Sequence, residues 1–261
     1  TLSSSSAASD VYKRQSLSRK TRNEIRRFLR STRGLEIGQE DDSSTRLISL
    51  LNVGELPLNA SLNRMYLLLS SLVRDIIDAL QGSDDDVISD HDEREREVDG
   101  LQYLIERQVG SMLSSSQIVK SLGLSRKQGV EYANLARSLE RMMDHANQMA
   151  KLTLDSESIP NLSPDQMPLS VLPIWLDSIK TLMINLRERD AHQIEDARNA
   201  LKKAQMELEK HEESLWSGRR KAATLLFEDR ISESTRRLCA YARDFGEILL
   251  NMLAYDSIIR H

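Results

Sequence analysis

Two pairs of carboxylates in the sequence have the spacing of neighbours on a helix. Glu95 and Asp99 lie in the segment EREVDGLQYLIERQ, and Glu140 and Asp144 lie in LERMMDHANQMA. Residues four apart stack one above the other on a helix surface, so each pair would present two carboxylates from one face. Such a face can take part in binding a hard cation, or it can form local ion pairs with the arginines one turn away.

The histidines and methionines around these carboxylates favour structural roles. His145 lies beside an apolar helical stripe, which predicts a partly buried, hydrogen-bonded residue rather than a ligand. His91 stands in a strongly acidic segment, and we expect a solvated helix start there. Met142, Met143 and Met149 have the positions of core residues rather than of cofactor contacts.

The composition predicts a mostly helical protein. Of the 261 residues, 39% are hydrophobic and only 4% aromatic, with ten glycines and five prolines. Few turn-forming residues and many Leu, Arg, Glu and Ala favour long helices over a β-sandwich. The net charge of −4 argues against a general polyanion-binding protein.

Cysteine usage and hydropathy predict a soluble, cytoplasmic protein. Cys239 is the single cysteine, so the chain can form no internal disulfide and no cysteine-based metal cluster. No segment approaches the roughly 20 apolar residues that a membrane-spanning helix needs.

The motifs of the common enzyme classes are absent from the sequence. It contains no glycine-rich phosphate loop, no nucleophile elbow and no His-Glu-x-x-His. A ferritin-like di-iron centre needs Glu-x-x-His, and the nearest approximations, Glu188 with His192 and Glu207 with His211, have the wrong spacing. We therefore predict a protein that is not an enzyme.

The N-terminal part differs from the rest of the chain. Residues 1–15 include SSAASDVYKRQ, which resembles a translated sequencing adapter; the alternative is a disordered serine-rich tail. Residues 16–33 predict a basic amphipathic helix, and the following apolar segments flank a polar DDSS turn typical of a β-hairpin. The basic residues that could contact nucleic acid are Arg19, Lys20, Arg22, Arg26, Arg27, Arg30 and Arg33.

From residue 58 onward the pattern predicts helices in two groups of three. At an offset of 96 residues, Arg141 matches Arg237 and His145 matches Tyr241, which indicates a tandem repeat. The domain prediction has five parts: an adapter-like or disordered segment (1–15), a small helix and β-hairpin module (16–57), a first three-helix repeat (58–153), a linker (154–168) and a second three-helix repeat (169–261).

The acidic helices, the tandem layout and the linker together resemble the PhoU family of phosphate-uptake regulators. The segment before them is similar to the linker module of the archaeal-type branch, in which a SpoVT-AbrB DNA-binding domain precedes the PhoU region. The resemblance implies an all-α fold of two three-helix bundles, preceded here by the helix and hairpin module. It also implies an upstream DNA-binding domain that the sequence given does not include.

The resemblance further implies how such a protein works. It implies repression of phosphate uptake through the ATPase of a phosphate ABC transporter or a sensor kinase, and a homodimer. It also implies metal clusters on E-x-x-x-D motifs, which would place iron, manganese or magnesium on Glu95, Asp99, Glu140 and Asp144. At the positions in the second repeat that match Glu140 and Asp144, the chain has Arg236 and Ala240, so we expect no symmetric second cluster.

A second hypothesis belongs to another class. In it, the chain is a transcriptional regulator whose helical part dimerises and senses a ligand or metal, with DNA bound by an upstream domain or weakly by residues 19–33. Salt-dependent DNA binding would favour this hypothesis. A metal-storing or redox helical protein is a third, weaker alternative.

Overall fold

The computed structural model describes residues 17–31, 35–41, 43–49, 57–82, 85–155, 162–217 and 222–259. The adapter-like segment 1–15 and residues 156–161 of the predicted linker lie outside the described residues. The chain divides into two units, residues 1–51 and 52–261. The boundary falls six residues before the predicted end of the N-terminal module.

The first unit contains the predicted helix and β-hairpin. Helix α1 covers Arg19–Ser31, and strands β1 (Leu35–Glu40) and β2 (Thr45–Ser49) pair antiparallel with an irregularity after Ile37. The turn is held by Asp41, whose carboxylate accepts hydrogen bonds from two following backbone N–H groups at 2.8 and 2.7 Å. The hydrogen bond from the Ser44 hydroxyl, followed by these two backbone bonds and the bond from the Ser43 hydroxyl, lowers the pKa of Asp41 to about 2.

All the regular structure described in the second unit is helical, and the predicted all-α fold class is confirmed. A short 3₁₀ helix (Asp85–Ile88) precedes the second long helix, and a short helix that was not predicted follows it. The described helices are α2 (Leu58–Leu80), α3 (His91–Ser114), α4 (Ser116–Leu122), α5 (Arg126–Leu154), α6 (Val171–Glu188), α7 (Ala191–Leu215) and α8 (Ala222–Ile259).

Local sequence sets several of the helix ends. Ser125 and Gln128 form a reciprocal capping box at the start of α5, and the Asp190 carboxylate accepts from the first N–H groups of α7. Gly123 ends α4 with φ 65°, a left-handed conformation that glycine adopts without strain. Arg189 ends α6 in the same conformation with φ 58°, although it has a side chain.

One hydrophobic core runs through both groups of three helices. Helices α2, α3 and α5 pack together, α6, α7 and α8 pack together, and α5 lies along α8. Trp175 is fully buried, and its indole N–H donates to the carbonyl of Leu238 at 3.1 Å. The division into two repeats stays a prediction, since their helices share this core. None of the described helices is long and apolar enough to cross a membrane.

Candidate functional site: the carboxylate patch of α3 and α5

The acidic residues singled out in the sequence lie on two helices that pack against each other. Helix α3 buries Val98, Leu101 and Ile105, while α5 buries Leu139 and Met142 in the same core. At 3.6 residues per turn these stripes leave the E-x-x-x-D pairs at the edge of the helix interface. The packing therefore brings the two predicted pairs to one side of the bundle.

Mutual electrostatic effects show that the four carboxylates are neighbours. Burial, followed by the negative charges of Glu95 and Asp144, raises the pKa of Asp99 to about 6. Burial followed by repulsion from Asp144 and Asp99 raises the pKa of Glu140 to about 7, against the opposing effect of Arg141 and Arg137. We call Glu95, Asp99, Glu140 and Asp144 the carboxylate patch.

Asp144 completes this pattern of half-buried, mutually repelling acids. Burial is the main cause that raises the pKa of Asp144, and the negative charge of Glu95 raises it as well. The positive charge of Arg141 lowers it. All four carboxylates of the patch are half-buried. Holding several negative charges together at such depth costs free energy unless a proton, a cation or a positively charged surface compensates them.

The local ion pairs considered from the sequence do not form. Arg137, one turn before Glu140, donates instead to Glu106 on α3 at 3.1 Å. The guanidinium of Arg141 lies 5.5 Å from the ring centre of Tyr241 on α8. The described part of the chain offers no salt bridge to Glu140 or Asp144.

The carboxylate oxygens of the patch are suitable ligands for a hard cation, but the side chains are too far apart to bind one in this conformation. Carboxylate oxygens are the ligands that magnesium and manganese prefer. Among the residues that the structure describes, however, no three His, Cys, Asp or Glu side chains converge closely enough to hold a metal ion. Binding at Glu95, Asp99, Glu140 and Asp144 would therefore require their side chains to move closer together.

The histidines near the patch have structural surroundings. His91 was expected at a solvated helix start, but it is buried, and its imidazole is hydrogen-bonded to Asn147 on α5. His145 is half-buried, as predicted, and stacks on Tyr241 with ring centres 5.8 Å apart. It lacks the predicted hydrogen bond at Nδ1, and burial lowers its pKa.

The remaining sequence predictions for this region have clear outcomes. Met142, Met143 and Met149 are buried in the core as predicted, with 0–1% of each exposed. At the position matching Glu140, Arg236 donates from Nε to both oxygens of Glu212 at 3.2 and 3.1 Å. At matched positions, the described residues therefore include a paired arginine on α8 and, on α5, an acid without a salt bridge.

The structure also contains a cleft that sequence reasoning missed. It encloses about 710 Å³ between α2, α5 and α6, and its lining includes Tyr66, Tyr132, Lys180 and Arg187. These residues lie on three helices that are far apart along the chain and belong to no common motif. No sequence signal joined them, because only the tertiary packing brings them together.

Comparisons with known proteins agree with this architecture. Residues 62–153 match the PhoU domain. The fold is similar to that in the crystal structure of the phosphate transport system regulatory protein PhoU from Streptococcus pneumoniae, with a TM-score of 0.61 and 16% sequence identity over 74% of this chain and 91% of that chain. No protein with a curated description matches the sequence. Residues 62–153, which lie in α2 to α5 and include the carboxylate patch, are thus similar to the PhoU domain, and the fold of the chain is similar to that of a PhoU protein.

Proposed function

We propose that this protein regulates phosphate uptake by docking onto another protein. The PhoU domain at residues 62–153, within the fold of a phosphate transport regulator, is the observation that carries the proposal. Its partner is the ATPase of a phosphate ABC transporter or a sensor kinase. A cytoplasmic location follows from the proposal, because such an ATPase works on that side of the membrane.

The docking face that we propose is the carboxylate patch of α3 and α5. Its four acids are half-buried and repel one another. No described Lys, Arg or His forms a salt bridge with Glu140 or Asp144. A partner surface bearing Lys or Arg would relieve this repulsion on binding. Electrostatic complementarity of this kind chiefly sets the specificity and rate of association.

Binding of the immobilised chain to the purified transporter ATPase, measured at high and at low phosphate, tests the docking proposal. We expect E140Q/D144N to weaken binding by about tenfold, since each lost charge pair at an interface costs about a kcal/mol or more. E209Q/E213Q is the matched control, because these two acids also lie four apart and are exposed on α7. Equal loss in both variants, or no binding of either the ATPase or a sensor kinase, would contradict the proposal.

We also propose that a divalent cation, iron, manganese or magnesium, compensates the carboxylate patch. A bound ion would neutralise charge on Glu95, Asp99, Glu140 and Asp144 and hold α3 against α5. A ligand that binds only the folded state raises its stability by about 2.7 kcal/mol at 100 times the dissociation constant. Thermal unfolding of the metal-free protein with added MnCl₂ or MgCl₂ should show this rise in the wild type and in E209Q/E213Q, but not in E140Q/D144N.

The second hypothesis keeps one supporting feature. Helix α1 has no acidic residue in its first turn, and Lys20 and Arg27 are exposed on it. If the natural protein acts as a transcriptional regulator, its helical unit would form a homodimer that senses a ligand. Salt-dependent DNA binding by the full-length natural protein, with no binding to the ATPase or to a sensor kinase, would favour this function over docking.

A further inference from the structure

The cleft between α2, α5 and α6 has the dimensions of a small-molecule site. Its volume of about 710 Å³ lies within the roughly 300–1,000 Å³ typical of ligand pockets. Asn59, Asn63 and Tyr66 line it from α2, Tyr132 from α5, and Lys180 from α6. It is separate from the carboxylate patch, and none of its lining residues belongs to that patch.

The cleft carries positive charge that the protein does not neutralise with a salt bridge. Lys180 and Arg187 are exposed on α6, and seven residues place them on one face about 10 Å apart along the helix. Within the described ranges, neither has an ion-pair partner. Glu188 is the single acidic residue in the lining, next to Arg187. An anion could reach both cations, whose side chains are long and flexible.

Tyr132 offers the cleft a hydrogen-bond donor that has no other use. Only 8% of this residue is exposed, yet its hydroxyl bonds to nothing in the described part of the chain. Burial raises the pKa of Tyr132, which keeps the hydroxyl protonated at neutral pH, although Arg189 and Arg187 act in the other direction. The hydroxyl is not among the buried, unpartnered polar atoms of the described residues, so it reaches the space of the cleft, where a ligand or water can accept from it.

The start of α2 adds a further preference for negative charge. Asn59 and Ala60, in the first turn of this 23-residue helix, line the cleft. Pro57 at the N-cap provides no capping side chain, and the first turn contains no acidic residue. The Ala60 N–H already donates to the Pro57 carbonyl at 3.0 Å, but the positive end of the helix dipole still favours a phosphate there.

An apolar wall lies beside the two cations, on the same helix α6. Met183 and Ile184 line the cleft beside Tyr66, and 48% of Ile184 is exposed. Inorganic phosphate would leave this wall and most of the volume in contact with water. A ligand with both a phosphate group and a carbon skeleton would use the cations and the apolar wall together.

We propose that this cleft binds an organic phosphate of about the size of a mononucleotide. Lys180, Arg187 and the first turn of α2 hold the phosphate, the Tyr132 hydroxyl donates to one of its oxygens, and the organic part packs on Tyr66 and Ile184. A nucleotide and a sugar phosphate share this chemistry. The site is independent of the docking face, so either proposal can fail without the other.

Isothermal titration of the 261-residue chain with AMP, glucose 6-phosphate and inorganic phosphate tests the proposal. We expect an organic phosphate to bind more tightly than inorganic phosphate, and K180A/R187A to weaken it by at least about tenfold. R74A/K202A is the matched control, because both residues are exposed and lie on α2 and α7 away from the lining. Tighter binding of AMP would identify a nucleotide, and tighter binding of glucose 6-phosphate a sugar phosphate.

Tyr132→Phe separates a ligand contact from a structural role. It removes only the unpartnered hydroxyl, so we expect about three- to tenfold weaker binding with no loss of thermal stability. Three results would each overturn the proposal. Neither AMP nor glucose 6-phosphate binds, K180A/R187A binds them as tightly as the wild type does, or inorganic phosphate binds as tightly as AMP and glucose 6-phosphate do.

Discussion

Glu140 on α5 and Arg236 on α8 match at the offset of 96 residues, but their surroundings differ. Glu140 is repelled by Asp144 and Asp99, and Arg137, one turn before it, is engaged with Glu106. Arg236 is held by Glu212, with only 23% and 18% of the two side chains exposed. The carboxylate patch on α3 and α5 thus keeps an excess of negative charge, whereas α7 and α8 neutralise the charge of Arg236 with Glu212.

This difference separates a structural use of charge from one available for binding. A paired, hydrogen-bonded arginine contributes to packing and offers little to a partner. A group of repelling acids destabilises the isolated protein slightly and gains from any cation that approaches it. The comparison therefore supports the proposal that a partner docks on the carboxylate patch of α3 and α5.

The largest effect is expected from making the second half resemble the first. Arg236→Glu would remove the bonds to Glu212 and set two partly buried acids against each other. We expect a loss of about 2–3 kcal/mol in the free energy of unfolding. Urea denaturation at neutral pH measures it, with exposed Arg230→Glu as the control, for which a change near zero is expected. A similar loss in both variants would show that Arg236 is not special.

The pH dependence of stability should come from the first half. Asp99 and Glu140 have folded-state pKa values of about 6 and about 7, above their unfolded values of 3.8 and 4.5. The folded state therefore binds protons more tightly, and its stability falls as the pH rises from about 4 to about 7. After allowance for solvent screening, we expect this fall to be about 1–2 kcal/mol larger in the wild type than in D99N/E140Q, measured in chelator.

A single neutral substitution should then stabilise the protein at alkaline pH. Glu140→Gln removes one charge from the repelling group, so we expect a gain of about 1 kcal/mol at about pH 8 and none at about pH 5. Glu209→Gln, on the exposed face of α7, should change stability at neither pH. A loss of stability in E140Q at about pH 8 would mean that the charged form of Glu140 has a stabilising partner.

Much of this architecture was predictable from sequence because it depends on periodicity. The apolar stripes predicted the long helices, and the absence of a second acidic cluster, expected because Arg236 matches Glu140, stays a prediction. The burial of His91 was missed, because its partner Asn147 lies 56 residues later on another helix. The cleft was missed for the same reason, because Tyr132 on α5 and Lys180 on α6 line one cleft only in the folded protein.

The engagement of Arg137 was also invisible in the sequence, and it gives the smallest predicted effect. Arg137 lies three residues before Glu140, a spacing that favours an ion pair between them. Its side chain instead forms a salt bridge with Glu106 on α3, and about half of it is exposed. Removing it in Arg137→Ala breaks a surface salt bridge worth about 0.2–1 kcal/mol. It also removes a positive charge that lowers the pKa of Glu140.

These two consequences of Arg137→Ala can be measured separately. The lost bridge lowers stability at every pH at which Glu106 is ionised, whereas the higher pKa of Glu140 steepens the fall of stability near neutral pH. Adding E140Q should abolish the second effect and leave the first. If the double variant R137A/E140Q keeps the steeper pH dependence, Arg137 does not act on Glu140, and the carboxylate patch is compensated from another side.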